Sequence, residues 1–395
     1  MFIERCWREG VFDFLAIALF WLLLGMIVYH WLLFPLLLWV WGRLFPRKFR
    51  FEPREKPFSV SVVMAVYNEE KIIAEKMKNL LMMDYPPEYI EILIGSDGST
   101  DRTDEIISSF GDPRVNLIHY DEQSGKTVVQ NRLLQLAHGE LVLCTDADSF
   151  LTPESLKLMC ENFLDPKVGV VNPRYRRINE DGSPAESLYD RWETKIKELE
   201  GKIGAMVGCN AYANLVRKSL ATPIADDTIL DDFILGIRPF RYGYDVVCEP
   251  RALVVTRAES ELVEYRRKTR ISSGNLQALQ RCYDLLSPKY GKKAWVYFSH
   301  KVLRMVVPFL LLAMFLGSGL KISHPFFAVL FGLQLFSYAT IPLLVVLPKR
   351  WRRLLVVQYY LYLNIGLVIG YGRYLFRRER FWSKTPRNSP PPDLS

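Results

Sequence analysis

Leu141-Val142-Leu143-Cys144-Thr145-Asp146-Ala147-Asp148-Ser149 begins as an apolar run and ends in two carboxylates. The run 141–144 is short and uniformly apolar, which predicts a buried strand. Side chains alternate along a strand, so Asp146 and Asp148, one residue apart, can face one spot at its end. Two hard oxygen ligands there suit Mg2+ or Mn2+, with substrate phosphates completing the coordination. Taken alone, the same residues also read as a solvated turn after a strand.

The preceding sequence supplies the context. Residues 59–67 are rich in β-branched side chains and predict a central strand, followed by Asn68, Glu69 and Glu70 and a helix to about residue 82. A second strand at 91–95 runs into Ser96-Asp97-Gly98-Ser99-Thr100-Asp101, dense in turn formers and helix N-caps. A helix, a strand at 115–119 and a helix opened by Gly125-Lys126 and running to about 138 lead back to 141–144. This alternation predicts an α/β domain with a mixed, mainly parallel sheet and helices on both faces. In such sheets ligands bind outside the carboxyl ends of the strands, where Tyr67, Asn68, Glu69, Asp97, Asp146 and Asp148 all fall. No G-x-G-x-x-G and no G-x-x-x-x-G-K-[ST] is present, which argues against a dinucleotide fingerprint and a P-loop.

The second half reads as a strand at 168–173, an amphipathic helix at 186–201, and a small-residue stretch around Gly208, Cys209 and Asn210 where a ligand can approach the backbone. Asp231 and Asp232 open a helix at 233–238. A carboxylate is favoured there by the helix dipole whatever its role. A long helical pattern at 261–286 carries Arg266, Arg267, Lys268 and Arg270 beside apolar residues, which fits a membrane surface or a solvated face.

Half of the 395 residues are hydrophobic, and they concentrate at the two ends. Segments 11–41, 302–320, 325–347 and 354–376 are candidate membrane spans. The net charge of +8 is carried partly by basic clusters beside these blocks: Arg43, Arg47, Lys48 and Arg50 after the first, Lys349, Arg350, Arg352 and Arg353 between the last two. That pattern predicts an integral membrane protein whose middle domain is cytoplasmic, and it speaks against nucleic acid as the partner. The six cysteines are scattered and read as reduced. The expected divisions are an anchor and basic linker at 1–56, a catalytic domain at 57–258, interfacial amphipathic helices at 259–300, C-terminal spans at 301–378 and a basic, proline-rich tail at 379–395.

Five motifs in order, between apolar blocks, carry a resemblance: Val66-Tyr67-Asn68-Glu69-Glu70, Ser96-Asp97-Gly98-Ser99-Thr100-Asp101, Gly125-Lys126, Thr145-Asp146-Ala147-Asp148 and Leu230-Asp231-Asp232. From about residue 59 to 280 the chain resembles membrane-bound family 2 glycosyltransferases of GT-A fold, which include cellulose, chitin and hyaluronan synthases and exopolysaccharide transferases. The resemblance implies an inverting hexosyl- or N-acetylhexosaminyltransferase that uses a UDP-sugar, with Mg2+ or Mn2+ as cofactor. It implies that Tyr67, Asn68, Glu69, Asp97, Lys126 and Asp146 bind the donor, joined by Arg267 and Arg270 at the diphosphate. Asp148, with Asp146, would hold the metal. Asp232 would be the general base. Gly208, Cys209, Asn210 and Asp231 would form the acceptor side.

Processive members carry a Q/R-x-x-R-W motif, and here the matching stretch is Arg267-Lys268-Thr269-Arg270-Ile271. Isoleucine offers no flat face for stacking on a sugar. The expectation is therefore transfer of one sugar, or very few, to a membrane-held acceptor such as a polyprenyl-linked saccharide. The alternative is a processive synthase of a chitin-, poly-N-acetylglucosamine- or cellulose-like polymer.

Overall fold

Eight strands form one sheet in a computed structural model that describes residues 14, 17–179, 181–209, 213–258, 261–347 and 356–376. They are β1 (Val60–Val66), β2 (Ile90–Asp97), β3 (Val115–Tyr120), β4 (Leu141–Thr145), β5 (Phe150–Leu151), β6 (Val168–Ile178), β7 (Ala213–Arg217) and β8 (Asp245–Arg257), in the order β3-β2-β1-β4-β7-β6-β8-β5. β3, β2, β1 and β4 run parallel. β7 is antiparallel to both β4 and β6, and β5 to β8, while β6 and β8 run parallel. The sheet is mixed, as expected, and its parallel half is the segment read most clearly from the sequence.

The strands sort their side chains by a period of two. Val60, Val62, Met64 and Val66 of β1 enter one core and Val63 enters the other, on the opposite face. The first core is covered by α2 (Ile73–Leu81), α3 (Thr103–Ser109) and α5 (Ser155–Glu161), and the second by α4 (Lys126–Leu136), α6 (Leu188–Lys202) and α7 (Asp231–Ile237). α4 lies against β2 at Gly95, where an added Cβ would meet Val129 Cγ1 at 2.3 Å.

Preceding the sheet is α1 (Ile17–Leu44), and after it come α8 (Glu261–Arg281), α9 (Lys292–Leu320), α10 (Pro325–Ala339) and α11 (Val356–Leu375). α1 and α9, at 28 and 29 residues, are long and apolar enough to cross a membrane by length and composition. Two expectations change here. The span expected at 302–320 is the apolar end of a helix that begins ten residues earlier, because the segment from Lys292 packs on the domain core through Ala294, Val296 and Tyr297. The span expected at 325–347 yields a helix of 15 residues, roughly 22 Å at 1.5 Å per residue, shorter than the ~30 Å hydrocarbon layer. The basic clusters expected at 349–353 and beyond 376 lie outside the described residues.

The linker after α1 is tied down. Arg47 donates to Asp245 at 2.9 Å and to Asp165, so this arginine of the first basic cluster serves the domain rather than a lipid surface. Among the described residues Cys144, Cys160, Cys209, Cys248 and Cys282 are unpaired.

Candidate active site

The ends of β1 and β4, the start of α7 and the helices α6, α8, α9 and α11 enclose one cavity of about 370 Å3. It brings together Tyr67, Glu69, Lys126, Asp146 and Asp148 with Gly208, Cys209, Asp231, Asp232, Arg267 and Arg270. Asn68 and Asp97 do not line it, and Asn210 lies outside the described residues.

Asn68 and Asp97 stand behind the wall and shape it. Asn68, with φ +52°, takes the left-handed conformation that asparagine tolerates, and its Oδ1 accepts from the Thr100 amide at 2.7 Å. It thereby fastens the loop after β1 to the loop after β2. Asp97 is buried and accepts from the Ser124 amide at 2.7 Å and the Gly125 amide at 2.8 Å. Those amides precede Lys126, the first residue of α4, so Asp97 fixes where the lysine begins. A nucleobase contact by Asp97 requires its carboxylate to share or exchange these donors.

Lys126 is the cation of the cavity floor. Its ammonium lies 2.8 Å from Asp146 Oδ1 and 3.1 Å from Asp231 Oδ2. Burial works against its charge, but Asp146 and Asp231 outweigh it and raise the ammonium above its usual range. Asp146 is itself pushed up, chiefly by burial, with Lys126 opposing and Asp148 reinforcing. Asp232 is pushed up to about 7 by burial and then by the Asp231 carboxylate, with Lys126 opposing. A carboxyl that changes charge near neutrality is suited to accept a proton from a hydroxyl.

Among the described residues no group of three or more His, Cys, Asp or Glu gathers as a cation cage. Asp146 and Asp148 form a pair of hard oxygen donors, and a divalent ion seated on them takes its remaining ligands from water and substrate phosphates. Arg267 pairs with Glu264 at 3.1 Å, and Glu264 also meets Arg177 at 3.3 Å and Lys268 at 3.6 Å. Arg270 and Ile271 line the same wall.

Sequence reasoning missed Lys76. It is fully buried in α2, directly under the Asp146–Asp148 turn, and its ammonium donates to Thr145 Oγ1 at 3.1 Å and to the Ser149 carbonyl. The signal was present, because residues 73, 76, 77 and 80 have the spacing of one helix face and three of them are apolar. It also missed Lys197, Lys301 and Arg304, which line the end of the cavity formed by α6 and α9.

The mixed α/β sheet, with its cavity at the carboxyl ends of the parallel strands, resembles the GT-A fold. Over 91% of its length it is similar to a mannosyltransferase from Pyrobaculum calidifontis solved with GDP-Man and Mn2+, with a TM-score of 0.70 at 20% identity, and it covers the whole of that chain. The family model described as glycosyl transferase family 2 matches residues 61–221. A poly-beta-1,6-N-acetyl-D-glucosamine synthase from Staphylococcus epidermidis is 26% identical over 311 residues, 68% of this chain and 74% of that one. A beta-monoglucosyldiacylglycerol synthase from a Nostoc species is 27% identical over 263 residues, 63% of this chain and 56% of that one. The family match over residues 61–221 and these relatives support a family 2 glycosyltransferase.

Proposed function

We propose that the enzyme is an inverting transferase that moves a sugar from a UDP-sugar to a hydroxyl of a membrane-held acceptor. One observation carries the reading: Asp232, pushed up to about 7, opens α7 in the same cavity as Lys126 and the Asp146–Asp148 pair. Asp232 takes the proton of the acceptor hydroxyl as that oxygen attacks the anomeric carbon. The bond to the diphosphate oxygen breaks, and its electron pair leaves on the diphosphate. Lys126 and the arginines of α8 face that developing charge. A divalent cation held by Asp148 and Asp146 would supply further charge stabilisation at the diphosphate. The Pyrobaculum mannosyltransferase was solved with Mn2+, which supports such a cation, and its GDP-Man makes GDP-sugars the necessary control donors.

The acceptor side is read from the cavity wall, where α9 and α11 meet α6 and α8. α1 and α9 support a membrane-bound enzyme, and the basic residues after α1 support a cytoplasmic catalytic domain. A cysteine placed in the loop 111–114 is then silent to impermeant thiol reagents in intact cells, and its labelling overturns the orientation.

The poly-N-acetylglucosamine synthase relative favours a second reading, processive synthesis. Ile271 in the cavity wall, where processive relatives place tryptophan, favours short transfer. The deciding experiment incubates membranes with labelled UDP- and GDP-sugars and follows lipid extraction with mass spectrometry. One sugar added to a lipid supports the first reading. A ladder of water-released products that grows with time overturns it in favour of the synthase, and no transfer from any UDP-sugar overturns both.

A further inference from the structure

The cavity is divided by charge. At the β4 end it is acidic, with Asp146, Asp148, Asp231 and Asp232, and at the other end it is basic. There Lys301, Arg304 and Lys197 converge on one carboxylate, Glu193. Arg304 lies 3.2 Å from it, Lys301 3.5 Å and Lys197 3.7 Å. His300 Nε2 is 3.1 Å away, and the Tyr189 hydroxyl donates to the same carboxylate at 3.1 Å. The second glutamate nearby, Glu200, accepts from His300 Nδ1 at 2.6 Å and from the Val207 amide, and its charge also acts on Lys301. Positive charge is thus concentrated around Glu193 in a buried place. A further anion entering the cavity there would meet several charge-assisted donors at once.

Three further features describe its surroundings. Gly208, with φ +85°, holds its backbone under the two lysines, and an added Cβ would lie 2.5 Å from Lys301 Nζ and 3.6 Å from Lys197 Cε. The turn also rests on α7, since a Cβ on Gly236 would meet Cys209 Sγ at 2.0 Å, which sets the basic group beside the helix that Asp232 opens. Finally, the wall continues from the cations into side chains of the C-terminal helices: Met305, Leu363 and Leu367, with Tyr360 and Trp31 at the junction. Tyr189 stands between Arg304 and Lys268, whose cationic groups lie 4.8 and 5.9 Å from its ring.

We propose that Lys197, Lys301 and Arg304 form the seat of a phosphate group on the acceptor lipid, whose chain leaves along the apolar wall of α9 and α11. This rests on the glycosyltransferase reading and adds the acceptor's chemical class: an anionic, phosphate-bearing lipid rather than a neutral one. Oxygen–cation geometry of this kind favours phosphate, because each of the three groups donates charge-assisted hydrogen bonds. Glu193 holds the three side chains in place when the lipid is absent and competes with its phosphate.

The test uses the full-length protein in neutral detergent and measures binding by thermal shift and by titration. The probes are a polyprenyl phosphate, the uncharged polyprenol of the same length, and phosphatidic acid beside diacylglycerol. The expected result is binding of at least one phosphorylated lipid about tenfold or more tighter than its uncharged counterpart, with the prenyl and diacyl pairs telling which anchor is preferred. Lys301→Gln brings that ratio toward one. Glu193→Gln raises it, an opposite sign that a general loss of folding does not produce. Equal binding of charged and uncharged lipids, or a fall in both variants alike, overturns the inference. Labelled sugar transfer is scored separately on the same samples. Phosphate selectivity without any transfer sinks the enzymatic reading and leaves the seat standing. Transfer to diacylglycerol or polyprenol with equal efficiency sinks the seat and leaves the enzymatic reading.

Discussion

Lys126 Nζ lies 2.8 Å from Asp146 Oδ1, so the lysine already neutralises one member of the carboxylate pair read as the cation site. A divalent ion and this ammonium compete for the same oxygen. Lys126→Ala should therefore tighten Mn2+ binding in the absence of nucleotide while slowing turnover, because the lysine is lost from the diphosphate. Asp148→Ala should remove Mn2+ binding and activity together. Calorimetric titration of Mn2+ into the variants checks both, and full activity of the wild type in excess chelator would end the metal reading.

Asp232→Asn should lower kcat by about 100- to 10,000-fold, the usual cost of losing a general base, with donor affinity nearly unchanged. The wild-type profile has a direction. A base pushed up to about 7 is protonated and idle below that pH, so kcat should rise through neutrality and level off above it. The asparagine variant should lose that limb.

Lys76 predicts a pH dependence of stability. Burial lowers its ammonium from 10.5 to about 7, partly opposed by Asp148 and Asp146. Between about 7 and 10.5 the unfolded chain keeps the proton that the folded chain has released, so stability rises with pH across that window and is flat below it. Melting of the wild type against Lys76→Met from neutral to alkaline pH should show this slope in the first and its absence in the second.

Gly95→Ala should destabilise the domain by about 1–3 kcal/mol, the usual cost of overpacking a core. The new methyl would meet Val129 Cγ1 at 2.3 Å and push α4, and with it Lys126, off the sheet. Gly332→Ala in α10 is the control, since nothing lies within 4 Å of a Cβ there and its backbone is helical. Denaturant midpoints of the two variants compare the effects.

The parallel half of the sheet was legible because each of its strands is a short β-branched run closed by turn-forming residues, a purely local signal. β8 was not, because its 13 residues, Asp245–Arg257, include Pro250 and Arg251 and alternate irregularly, and its place beside β6 is fixed by contacts remote in sequence. The acidic end of the cavity was legible for the same local reason, since Asp146, Asp148, Asp231 and Asp232 sit within two short motifs. The basic end was hidden. Lys197 and Glu193 read as the polar face of an ordinary amphipathic helix, Lys301 as the flank of the span expected at 302–320, and Arg304 as part of that span. Only the packing of α9 against α6 turns them inward.

That packing has a mechanical side. α9 is one rod, roughly 44 Å long at 1.5 Å per residue. Its first ten residues are embedded in the catalytic domain, where His300 grips Glu200, and from Met305 to Leu320 it carries no charged side chain. Helices answer a mismatch with bilayer thickness by tilting. Tilting a rod gripped in its first third swings Lys301 and Arg304 against Gly208. The lipid composition around the protein would thus reach the sugar-transfer centre as a lever stroke, with no soluble effector required.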